Sequence, residues 1–224
     1  MTKRFLSGLA AGAIAVLAGC SGGDSETSAG LSIVKGVIAP KDEAALPNAA
    51  QLTALIQQSL QATNQPIVAV ALPKRKAIAI MPQIETNGMY ATHGTSERRS
   101  LTLKHGMVTA TRGFGEDLMS SDADAALAMI RGRKAGTVQR VQRYLDGENQ
   151  TVTLETTCRV TPGGSVRYQS GELDRRAVKV QETCKAQSTR FTNSYQVDTA
   201  TGRILQAQQW LSPINGKVLV QQLR

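Results

Sequence analysis

Aromatic side chains are scarce: the chain has one Trp, four Tyr and three Phe, 4% of its residues. An open cleft lined with flat rings for sugar stacking is hard to build from so few. Histidine is rarer still, with only His93 and His105. No His-Glu-x-x-His site can be assembled, and His105 precedes Gly106 between two strand-like runs, which reads as a tight turn rather than a ligand or base. The chain also has no Gly-x-Ser-x-Gly elbow, no credible Ser/His/Asp set and no Gly-Lys-Ser/Thr phosphate loop. Acidic residues are outnumbered, 17 against 26 basic, for a formal net charge of +9. That balance points to an acidic partner: anionic lipid head groups, an acidic polysaccharide or an acidic protein face. Beyond the N-terminal leader, no apolar run approaches the roughly 20 residues that span a bilayer as a helix.

Cysteine is limited to three positions, and each has a distinct reading. Cys20 closes Leu17-Ala18-Gly19-Cys20 after a positive start at Lys3 and Arg4 and an uncharged run from Phe5 to Leu17. The run is too short for a membrane span and matches a secretory leader. The ending resembles a bacterial lipoprotein signal. Residues 1–19 are then removed, the Cys20 thiol takes a diacylglyceryl group, and the new amine is acylated. The alternative is an ordinary cleaved leader that happens to end in cysteine. Two acyl chains anchor stably, each buried methylene contributing about 0.8 kcal/mol. By the sorting rule of such lipoproteins, Ser21 in place of Asp favours the outer membrane, on its periplasmic face. Residues 20–34, rich in Gly, Ser, Thr and acid, form the lipidated cysteine and a flexible tether. An exported domain leaves no place for nucleic acid. With Cys20 lipidated, Cys158 and Cys184 form an even pair in an oxidising compartment and read as a disulfide, worth about 3.5 kcal/mol by chain entropy. A metal pair lacks neighbouring histidines, and a catalytic thiol is the remaining alternative. Neither metal nor cofactor is expected.

The folded part, 35–224, reads as one mainly β domain. Its antiparallel sheets form a sandwich or open barrel, with one N-terminal amphipathic helix and one short helix near 121–131. The first helix runs from Asn48 to Thr63: Asn48 and Gln51 make a capping pair behind Pro47, and Leu52, Leu55, Ile56 and Leu60 share a face. The second is expected to start at Ser121, with Asp124 three residues on. Strands are read at 67–72, 77–81, 100–104, 107–111, 138–145, 151–160, 177–184, 191–197, 204–211 and 218–223, and 83–93 alternates weakly on both sides of a turn signal. Asn87-Gly88 and Asp146-Gly147 are hairpin turns. Alternation puts Cys158 and Cys184 on the apolar sides of their strands, so the sulfurs meet if those strands are neighbours. Glu182 shares that face; it is either an arginine-paired or edge-exposed structural carboxylate, or a catalytic acid.

Two stretches carry a family likeness. One is Leu103 to Ser121, with its string Thr111-Arg112-Gly113-Phe114-Gly115-Glu116-Asp117-Leu118. The other runs from Phe191 through Gly202 to Gln209-Trp210-Leu211-Ser212-Pro213. Together they resemble the YjbF/GfcB family of exopolysaccharide and group 4 capsule lipoproteins, over most of residues 65–223. Gln196 departs from the pattern, where an aromatic is usual. The resemblance implies a β-rich outer-membrane lipoprotein serving polysaccharide export or assembly as an accessory factor, with no catalytic residue to carry over. The partner is then an export-machinery protein or an acidic polysaccharide. Physically, Gly113 and Gly115 let the chain turn about Phe114, and Arg112 is placed to pair with Glu116 or Asp117 across the bend. Arg112, Glu116, Asp117 and Trp210 are the candidate contacts for a partner or glycan, against the plainer reading of a structural corner. Two alternatives stay open. One is a polysaccharide-binding module using the basic loops of Lys74, Arg75, Arg98, Arg99, Arg131 and Arg133. The other, less favoured, is a glycan-cleaving enzyme built on Asp117 or Glu182.

Overall fold

The computed structural model describes residues 46–224. The leader, Cys20 and the tether lie outside the described residues. Among the described residues, two α-helices, α1 (Ala49–Ala62) and α2 (Asp124–Gly132), accompany twelve strands. The strands are β1 (Ile67–Leu72), β2 (Ala77–Asn87), β3 (Tyr90–Gly94), β4 (Ser100–Lys104), β5 (Met107–Arg112), β6 (Leu118–Asp122), β7 (Gly136–Leu145), β8 (Thr151–Ser170), β9 (Leu173–Lys185), β10 (Arg190–Asp198), β11 (Ile204–Ser212) and β12 (Gly216–Gln222). They build one antiparallel sheet in the order β5-β4-β3-β2-β1-β12-β11-β10-β9-β8-β7-β6. Each strand therefore neighbours its successor in sequence, except at one place. The outermost strands, β5 and β6, are also consecutive, and the short Gly113–Asp117 connection brings them together. The result is a nearly closed barrel with its seam in the middle of the chain. The chain ends are joined instead, because β1 pairs with β12 from Val68↔Gln222 to Ala71↔Leu219.

Alternation on β1 explains the layers. Val68 and Val70 face inward with Met81, Leu101, Leu103, Val108, Leu118, Leu211 and Val220. Ile67 and Ala69 face outward and are covered, with Ile80 and Leu223, by Leu52, Leu55, Ile56 and Leu60 of α1. The Asn48–Gln51 capping box forms in both directions, at 2.9 Å each way. Arg224 ties the other end of α1 to the last strand, donating to the Leu60 and Thr63 carbonyls. Helix α2 buries Ala126, Leu127 and Ile130 against Val160, Val180, Tyr195 and Val197. No helix among the described residues is long and apolar enough to cross a membrane.

Two expectations need correction. Ser121 is not a helix cap. It lies in β6 opposite Gln142 of β7, and α2 begins at Asp124 after Ala123, with no side-chain cap. The polar Ser120-Ser121-Asp122 segment is held by its ladder to β7, and that ladder overrides the capping pattern. Strand β8 does not stop at Val160 but continues to Ser170 through Pro162-Gly163-Gly164. A register shift between Pro162 and Ser165 absorbs the proline and the glycines, as a bulge does. The tip of the β8–β9 hairpin then reaches the chain end, with Glu172 N–H on the Leu223 carbonyl at 2.8 Å. The Gln83–His93 stretch, by contrast, turns at its Asn87-Gly88 hairpin signal as expected, into the end of β2 and β3.

Candidate functional site

The seam is built by the string that carries the family likeness. Gly113 and Gly115 adopt φ +79° and +65°, and Phe114 between them is buried in the main core. Asp117 turns back into its own bend. Its carboxylate accepts from Gly113 N–H at 2.7 Å, Phe114 N–H at 3.1 Å and the Thr111 hydroxyl at 2.9 Å. The Thr111 hydroxyl in turn accepts from Leu118 N–H at 2.9 Å. Arg112 does not pair with Glu116 or Asp117 as expected. Asp117 is occupied by three donors, so the guanidinium turns to backbone instead, donating to the carbonyls of Thr111 (2.6 Å), Leu118 (3.2 Å) and Met119 (3.5 Å). Glu116 diverges from Asp117 and accepts from Ile214 N–H at 2.9 Å, fastening the corner to the β11–β12 turn. Side chains thus replace the missing ladder between β5 and β6. A second such replacement comes from Gln209. Its amide reaches across the interior to β5, accepting from Val108 N–H at 2.7 Å and donating to the Val108 carbonyl at 3.2 Å.

A polar centre lies on the inner side of β7, β9 and β10. Glu182 and Arg140 are fully buried and paired at 2.8 Å. The same carboxylate oxygen, Oε2, accepts from Asn193 at 2.7 Å and the Tyr195 hydroxyl at 2.8 Å. Asn193 passes the connection on, accepting from Trp210 N–H at 2.8 Å. Burial is the largest single influence on Arg140 and lowers its pKa, but Glu182 and the Tyr195 hydroxyl together outweigh it and the net shift is upward. Burial and the same carboxylate hold Tyr195 well above its ordinary value, so its hydroxyl stays a donor. The arginine-paired reading of Glu182 therefore describes the geometry. Nothing in the sequence names Arg140 as the partner, because 42 residues separate the two. Asn193 and Tyr195 carry no local signal either, beyond sharing the inward parity of β10.

Cys158 and Cys184 sit directly opposite one another on β8 and β9 and are joined as a disulfide. Their sulfurs and a Glu182 oxygen lie within 4.8 Å of one another. A bonded disulfide offers no thiolate, so this group does not make a metal site. Trp210 packs beside the disulfide. It stacks on Phe191 with ring centroids 4.8 Å apart and meets the edge of Tyr144 at 6.0 Å. The ring is an element of packing, half-buried, rather than an open platform.

The basic loops also divide by role. Arg131 donates to the Gly202 carbonyl at 3.1 Å, Arg133 to the Asp198 carbonyl at 2.9 Å, and Lys74 to the Pro213 carbonyl at 2.6 Å. Arg99 pairs with Glu97 at 3.5 Å. Arg75 and Lys76 line a cavity of about 190 Å³ whose apolar walls include Leu72, Met81 and Phe114.

Comparisons with known proteins agree with this architecture. No curated protein matches the chain. Among solved structures, the hypothetical lipoprotein YmcC from Escherichia coli K12 superposes with a TM-score of 0.67 at 14% identity, covering 83% of this chain and 98% of that one. At that identity the likeness speaks for the fold. A family model described as the group 4 capsule polysaccharide lipoprotein gfcB, YjbF, matches residues 33–223. The match takes in α1, every strand of the barrel and the seam corner, and the chain belongs to the YjbF/GfcB family of capsule polysaccharide lipoproteins.

Proposed function

We propose that this chain is a lipid-anchored lipoprotein of the outer membrane, facing the periplasm, and a non-catalytic accessory factor in the export or assembly of capsule or exopolysaccharide. Residues 1–19 form the leader, Cys20 carries the lipid, residues 21–34 form the tether, and 35–224 form the working domain. The observation that carries the reading is the family match over residues 33–223. The geometry supports it. The seam carboxylate Asp117 is saturated by its own corner, and Glu182 is enclosed by Arg140, Asn193 and Tyr195. Both carboxylates that an enzyme could use are thus committed to the fold, and function passes to the outer surface. Arg112, Glu116 and Asp117 act by holding the seam, so partner contact through them is indirect.

The test is genetic and chemical together. In the producing bacterium, deletion of the gene is expected to abolish surface polysaccharide while polymer accumulates inside the envelope. Wild-type chain restores the surface polymer, and Cys20→Ser does not. Unchanged surface polymer in the deletion, or loss of polymer synthesis itself, overturns the reading. Mass spectrometry of the native protein checks the acyl groups on Cys20.

A further inference from the structure

The outer face of the barrel over β7–β10 combines three properties. Its charge is positive but for one carboxylate, it is rich in hydroxyl and amide groups, and it lacks large apolar side chains. Because Cys158, Val160, Val180, Glu182, Asn193 and Tyr195 point inward, their alternates point out. Register then sets those alternates in rows across the strands. One row is Gln139, Thr157, Lys185 and Arg190. The next is Thr137, Arg159, Thr183 and Thr192. A third is Thr161, Gln181, Ser194 and Gln208. Arg143 and Lys179 flank them. Directly opposed residues share a face, and neighbouring strands are about 4.8 Å apart, so the rows form a regular polar grid. Hydrogen bonds between Gln139 and Thr157 and between Thr183 and Thr192, at 3.1 and 3.2 Å, keep the grid ordered.

Its cations differ from several basic side chains elsewhere. Arg143, Arg159, Lys179, Lys185 and Arg190 are exposed, and none is ion-paired among the described residues. By contrast, Arg112, Arg131, Arg133 and Lys74 donate to backbone carbonyls. Over Gly136–Arg143, Thr153–Thr161, Lys179–Lys185 and Arg190–Gln196, Glu155 is the one outward carboxylate, since Glu182 points inward. We propose that this face binds an anionic polysaccharide, a chain bearing uronate carboxylates. The proposal deepens the export reading and rests on it for the polymer class.

Charge complementarity selects the occupant. Cations take the carboxylates, while Thr, Ser and Gln side chains exchange hydrogen bonds with sugar hydroxyls. An anionic membrane fits less well. Surface binding to lipid is strengthened by apolar side chains that insert, and the exposed large apolar residues Leu46, Ile84, Met89, Tyr90 and Ile214 lie outside the strands of this face. A protein partner would want an apolar centre, which the grid also lacks.

The experiment uses the full mature chain, lipid-anchored in nanodiscs of zwitterionic lipid. The probes are polygalacturonate, neutral dextran and phosphatidylglycerol vesicles. The face variant is Arg159→Glu, Lys185→Glu, Arg190→Glu. The control variant, with the same charge change elsewhere, is Lys76→Glu, Arg98→Glu, Lys134→Glu. Both are first checked for an unchanged melting profile; a face variant that melts early is replaced by the three Gln changes. Polygalacturonate is expected to bind, more weakly as salt rises. The face variant should lose at least tenfold in affinity, the control should stay within twofold, and dextran should not bind. Equal losses in both variants, no loss in the face variant, no binding of polygalacturonate, or binding of the vesicles alone through this face each overturn the proposal. The export phenotype of the gene deletion is read separately, so this proposal can fail while the export reading stands.

Discussion

At the residue scale, the interior is decided by a few polar groups in an apolar barrel. The Arg140–Glu182 pair is fully buried, and breaking such a pair leaves one charge without compensation. Glu182→Gln is expected to cost about 3–5 kcal/mol, read from the denaturant midpoint. Adding Arg140→Met should recover most of it, because the introduced amide would keep the Asn193 and Tyr195 contacts and the orphaned cation is gone. A double variant as unstable as the single one would show that packing, not charge, sets the cost. His93 makes a second, pH-dependent contribution. Burial lowers its pKa from the ordinary 6.5 to about 4. Below pH 6.5 the unfolded chain takes up a proton that the folded one refuses, so stability falls with pH from there down to about 4 and the term is flat below. The full loss is about 3 kcal/mol. Subtracting the stability–pH curve of His93→Leu from that of the wild type isolates the term from the carboxylates; a flat difference between about pH 7 and 4 refutes it.

At the element scale, the seam is where side chains do what a strand pair does elsewhere. Asp117→Ala removes the acceptor of Gly113 N–H, Phe114 N–H and the Thr111 hydroxyl. Gln209→Ala leaves the Val108 backbone groups unpaired in the interior. Each is expected to cost about 2–3 kcal/mol, and hydrogen exchange should speed up in β5 and β6 before it does in β8 and β9. Uniform exchange across the barrel would argue against a local seam. Local signals made much of this scale legible. The Asn48–Gln51 pair, Asn87-Gly88 and the parity of Cys158 and Cys184 each encode their geometry within a few residues. What stayed hidden depends on distance or competition. Arg140 reaches Glu182 only because β7 and β9 flank β8. Ser121 looks like a cap until β7 supplies a ladder. Arg112 looks like the partner of Asp117 until the turn claims that carboxylate first. Trp210 stands out within its own string, while its stacking on Phe191 comes from the approach of β10 and β11.

At the scale of the whole molecule, closure of the ring separates two kinds of terminal element. Strand β12 lies between β1 and β11 and supplies ladders to both, from Val68↔Gln222 on one side to Gln206↔Gln221 on the other. Its inward Val218 and Val220 also belong to the main core. Helix α1 only covers an outer patch, bounded by Ile67, Ala69, Ile80 and Leu223. Removing residues 216–224 should therefore split the sheet into two edges and abolish cooperative unfolding. Removing residues 46–64 should leave the β-sheet circular dichroism spectrum and a single, lower transition, together with dye binding at the uncovered patch. The two outcomes follow from topology rather than from residue count, since the shorter deletion is the more damaging one. A chain without α1 that fails to fold, beside a chain without β12 that still melts cooperatively, would mean that the barrel is closed through some route other than the β1–β12 ladder.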